Sequence, residues 1–75
     1  MKILGIDPGI ARCGYAVIES TGKEIRLLQC GCITTKTGSP DPLRLFEIKR
    51  DLEALIKKFR PETMSIESLF FINNQ

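Results

Sequence analysis

Between Asp41 and Pro61 the apolar residues recur at steps of three and four, which no other part of this 75-residue chain does. Leu45, Ile48, Leu52, Leu55, Ile56 and Phe59 therefore form one stripe of an amphipathic helix. Asp41-Pro42 offers an N-cap followed by a proline at the first helical position. Glu53 and Lys57 stand at a favourable i,i+4 spacing. Lys57, Lys58 and Arg60 fall in the last turn, where the helix dipole favours cations, and Pro61 ends the element. The position of this helix constrains the fold, because strand-like sequence lies on both sides of it.

Three strands are expected before the helix. Met1–Ile6 is nearly continuous in apolar character, as in a central strand buried on both faces, and Pro8-Gly9 stops it. Cys13–Glu19 reads as a second strand. Ser20-Thr21-Gly22-Lys23 is a turn, and Glu24–Thr35 reads as a third strand, so the three form an antiparallel meander. After the helix, Thr63–Ile66 reads as a fourth strand. The order is β-β-β-α-β in an α/β fold. A helix between strands three and four permits a crossover, so strand four can lie parallel to strand one, its most apolar partner.

That arrangement gives meaning to two acidic residues. Asp7 and Glu67 each end an apolar run, at the C-terminal end of strand one and of strand four. Neighbouring strands are about 4.8 Å apart, so both carboxylates would reach one metal ion or a pair of them. Ligand sites in open α/β sheets favour this edge. Asp before Pro-Gly is also an ordinary turn former. Glu67, set between Ile66 and Leu69-Phe70-Phe71, calls for a partner, a metal or a solvated cleft. Phe70 and Phe71 are core or interface residues, or an aromatic platform for an unpaired base. Arg12, close to Asp7 in sequence, is a solvated charge or a phosphate contact.

Composition narrows the class. The chain is long enough for at most one small domain with a marginal core. Its 43% apolar content argues against disorder, and its net charge of +2 permits nucleic-acid binding without demanding it. Cys13, Cys30 and Cys32 show no CxxC, and no histidine is present to complete a zinc site. They read as small buried hydrophobes in a reducing cytoplasm. No signal peptide is expected, and no run approaches the roughly 20 apolar residues of a membrane span.

Gly5-Ile6-Asp7-Pro8-Gly9, Gly14-Tyr15-Ala16-Val17-Ile18, Phe59-Arg60-Pro61-Glu62 and Ile66-Glu67 with Phe70-Phe71 together resemble the N-terminal half of RuvC-type Holliday-junction resolvases. The resemblance runs through essentially the whole chain. It implies an RNase H-like fold, a homodimer, and symmetric nicking of four-way DNA junctions with two Mg²⁺ or Mn²⁺ ions per site. By it, Asp7 and Glu67 are the first two catalytic and metal-binding carboxylates, and Phe70 stacks on a base near the crossover. It also implies a branch-migration helicase as partner and a role in recombination and DNA repair. Such resolvases carry further carboxylates near the C-terminus, which this chain lacks. The chain is therefore expected to be the N-terminal part of one truncated nuclease domain, inactive alone and prone to self-association through its exposed apolar face and free strand edge. Three rival classes remain. An RNase H-like nuclease of ribosomal RNA precursors shares the opening motif. An actin or sugar-kinase type nucleotide-binding domain opens similarly, although Ile10-Ala11 stand where its phosphate loop favours Thr, Ser or Asn. A non-catalytic DNA-binding or dimerisation module is the third.

Overall fold

In the computed structural model, residues 1–66 are described. The elements run β1 (Lys2–Asp7), β2 (Arg12–Ser20), β3 (Ile25–Thr34), α1 (Asp41–Phe59) and β4 (Thr63–Ile66). The sheet order is β3-β2-β1-β4, with β1 antiparallel to β2 and parallel to β4. The expected order and the parallel pairing are both present. The Glu62 amide donates to the Lys2 carbonyl at 2.8 Å, which starts β4 alongside the beginning of β1. From there the register runs Ile3 to Thr63 and ends at Ile6 opposite Ile66.

Strand alternation sorts the side chains into two faces. Leu4, Ile6, Cys13, Val17 and Ile33 point to one face, where Leu55 of α1 closes the core. Leu4 and Val17 are essentially sealed from solvent, at 0% and 1% exposure. Ile48, Leu52 and Phe59 add partly buried packing along the helix. On the other face Gly5 and Asp7 alternate with these core residues, and no described element covers them.

The helix differs from expectation in three ways. Its N-cap is Pro40, with Asp41 already inside the first turn, and no side chain caps it. Proline at the second helical position is tolerated because its missing N–H has no intrahelical partner there. The buried stripe is narrower than the periodicity suggested. Leu45 is 58% exposed and Ile56 37% exposed, because they lie on the flank of the stripe away from Leu55. Among the described residues the ion pair within 4.0 Å is Arg50–Asp51, not Glu53–Lys57. At the other end Arg60 adopts a left-handed conformation and its amide closes on Ile56, just before Pro61. β1, expected to be buried on both faces, is buried on the helix side only, because no described element lies on the other side.

Candidate functional site

Asp7 is the last residue of β1, exposed, on the sheet face away from α1. Its partner in the ladder is Gly14 of β2, and Gly14 pairs in turn with Cys32 of β3. The row Asp7–Gly14–Cys32 thus crosses three strands with no side chain between the carboxylate and the thiol. A Cβ at position 14 would meet the Asp7 Cβ at 3.6 Å, ordinary van der Waals contact. Small side chains continue along this face. Gly5, Gly14, Ala16, Cys30, Cys32 and Ser65 floor a groove of about 490 Å³, and Asp7 stands at one end of it.

The chain leaves the site by a short loop, residues 8–11, which leans on β3 rather than on β1. Ladder pairing with β1 ends at Asp7–Gly14, whereas Arg12 and Cys13 already pair with Thr34 and Ile33. Just beyond β3, Thr35 continues this contact. Its amide donates to the Ala11 carbonyl at 3.2 Å and its hydroxyl donates to the Ile10 carbonyl at 2.9 Å. The turn itself requires glycine, because a Cβ at position 9 would sit 2.3 Å from the Arg12 carbonyl oxygen.

Cys13, two residues after this loop, is buried in the core on the helix side of the sheet. Burial pushes its thiol above the usual value of 9.0, a hydrogen bond from the Gly9 backbone pulls it partway down, and the charges of Asp7 and Cys32 push it up again. It is therefore protonated at neutral pH and poorly nucleophilic. Cys30 and Cys32, expected to be buried, are exposed, because β3 is an edge strand and their face is uncovered by any described element. Arg12, at the start of β2, is exposed, and its guanidinium donates to the Cys32 sulfur at 3.9 Å.

Of the residues singled out from the sequence, Asp7 and Arg12 fall at the same end of the sheet. Glu67, Phe70 and Phe71 lie outside the described residues. What the ladder does give is the pairing of Ile6 with Ile66, the residues that immediately precede Asp7 and Glu67. Asp7 is a hard oxygen donor of the kind Mg²⁺ selects. Among the described residues no three His, Cys, Asp or Glu side chains gather into a metal-binding group. The loop contacts of Thr35 had no sequence signal, since they join residues 24 and 25 positions apart.

Comparison with known proteins adds independent information. Residues 3–75 match the family model described as crossover junction endodeoxyribonuclease RuvC. A protein of that description from Synechococcus sp. (strain WH7803) is 52% identical over 71 residues, covering 95% of this chain and 46% of its own. Another from Brevibacillus brevis is 47% identical over 74 residues, covering 99% of this chain and 45% of its own. The chain thus spans about half the length of the curated relatives it matches. Among solved structures, T. thermophilus RuvC in complex with Holliday junction substrate superposes with a TM-score of 0.83 at 32% identity. That match covers 91% of this chain and 42% of the other. The fold is accordingly RNase H-like, as the family resemblance implied.

Proposed function

This chain belongs to the RuvC family of crossover junction endodeoxyribonucleases, and on that premise we propose that it supplies the N-terminal part of a single RNase H-like domain that resolves four-way DNA junctions by symmetric nicking. The observation that carries the reading is the parallel register of β1 and β4, which pairs Ile6 with Ile66, the residues that precede Asp7 and Glu67 in the sequence. In this reading Asp7 and Glu67 hold two Mg²⁺ or Mn²⁺ ions, with further carboxylates supplied by the remaining length of the full protein. The ions, when bound, supply activation of a water and stabilisation of the departing 3′ oxygen.

The chain's own residues then have distinct tasks. Asp7, the last residue of β1, and Glu67 supply carboxylate oxygens to the metal. Arg12, exposed at the same end, contacts a backbone phosphate. Phe70 and Phe71 form the aromatic platform on which a base at the crossover stacks. Gly5, Gly14 and Ala16 keep the sheet face beside Asp7 low, so that other groups can approach the carboxylate. The full protein acts as a homodimer, which matches the two equivalent strands of a junction, and receives junctions from a branch-migration helicase in the cytoplasm. No helix among the described residues is long and apolar enough to cross a membrane.

A substrate panel tests the reading. The full-length protein is incubated with Mg²⁺ and a mobile four-way junction, linear duplex, single-stranded DNA or a structured precursor RNA. Paired nicks confined to the junction are expected. Preferential cleavage of the RNA, or ATP binding with no cleavage at all, would replace this function with one of the rival classes.

A further inference from the structure

We propose that Thr35 is a positioning residue of the proposed nuclease site, holding the 8–11 loop and through it the Asp7 carboxylate. The inference rests on the resolvase reading above for its chemistry, and on hydrogen bonds of this structure for its geometry.

One residue grips two consecutive carbonyls of the loop. The Thr35 hydroxyl donates to Ile10 at 2.9 Å and the Thr35 amide donates to Ala11 at 3.2 Å. The backbone bond follows the path of the β2–β3 ladder one step past the Arg12–Thr34 pair. The side-chain bond does not, since it needs a hydroxyl at this position. Among the described residues the other contact of this loop is the hydrogen bond of the Gly9 backbone with the Cys13 thiol. Its four residues are all exposed and form no helix or strand, and β1 pairing has already ended at Asp7. Pro8 follows Asp7 directly, and its ring fixes its own φ and restricts Asp7, so the Asp7 end of the loop has little backbone freedom of its own. A metal-binding carboxylate tolerates displacements of only about 0.5 Å.

Substitution by valine keeps the shape and removes the donor. Ile10 is exposed, so its carbonyl is then satisfied by water and the fold loses little. Serine keeps the donor and loses only a methyl group. The test uses the full-length protein in three forms: wild type, Thr35→Val and Thr35→Ser. Nicking of a synthetic four-way junction is measured against Mg²⁺ concentration, junction binding is measured without metal, and amide exchange is followed at Ile10, Ala11 and Arg12.

In Thr35→Val we expect the half-saturating Mg²⁺ to rise about 3- to 10-fold, the factor that one neutral hydrogen bond represents. Junction binding should stay at the wild-type value, and the Ile10, Ala11 and Arg12 amides should exchange faster by a similar factor. Thr35→Ser should restore all three readouts. A Thr35→Val protein with wild-type metal dependence and wild-type loop exchange overturns the proposal, as does a Thr35→Ser protein as impaired as Thr35→Val. If the wild type itself fails to nick junctions, the resolvase reading fails instead, and the exchange data still decide whether Thr35 restrains the loop.

Discussion

Replacing Gly9 with alanine should damage both the fold and the site. The added Cβ would lie 2.3 Å from the Arg12 carbonyl oxygen. That is about 1 Å inside ordinary van der Waals contact, and the obstacle is backbone, so no side-chain rotation relieves it. Relief requires the 8–11 loop to open away from β3. Opening breaks the two Thr35 hydrogen bonds to Ile10 and Ala11, at about 0.5–1.5 kcal/mol each. Alanine returns roughly 0.4–1 kcal/mol by restricting the unfolded chain, provided its backbone angles suit the turn. The net cost is about 1–2 kcal/mol. A domain of 150 or more residues loses about 2–4 °C of melting temperature per kcal/mol, so calorimetry on the full-length protein should show a fall of roughly 2–8 °C. Gly14→Ala is the internal control, because its Cβ meets Asp7 at an ordinary 3.6 Å and should cost little stability. If Gly9→Ala melts with the wild type and nicks junctions at the wild-type rate, the tight turn is not what the sheet edge depends on.

Other consequences can be checked alongside. Leu4 is fully buried against the helix, so Leu4→Ala should cost about 2–5 kcal/mol in denaturant unfolding. Gly14→Leu should place a branched side chain beside Asp7 and lower nicking by at least about tenfold while the protein remains folded, as judged by circular dichroism. Thiol titration of the native protein should find Cys30 and Cys32 reactive and Cys13 protected. Because the Cys13 thiol is raised above 9.0 in the fold, its contribution to stability is intact below that pH and lost as pH rises through the folded value. The stability difference between wild type and Cys13→Ala should therefore shrink in alkaline urea melts.

The sequence made the architecture legible where periodicity and punctuation agreed. The switch from strand pattern to helical pattern after Pro40, and back after Pro61, located the crossover and hence the parallel β1–β4 pair. Burial was less legible, because periodicity reports which residues share a face and not how much of that face is covered. Leu45 and Ile56 belong to the apolar side of α1 yet lie beyond the width of sheet beneath it. Cys30 and Cys32 were misread for the same reason, since edge position is a property of the whole sheet. Within the site, Asp7 stood out by its place at a strand end, whereas Thr35 looked like one more β-branched residue closing β3. Its role depends on a loop folded back from 25 residues away. The signal for Glu67 remains its sequence position after Ile66, the residue that closes the β1–β4 register.

In the proposed function Asp7 and Glu67 together hold the metal that cuts the junction. The most direct measurement compares the full-length wild type with Asp7→Asn and Glu67→Gln on one four-way junction, scoring binding and nicking in the same samples with Mg²⁺. All three proteins should bind the junction comparably, and only the wild type should nick it. Nicking that survives either substitution would contradict that assignment.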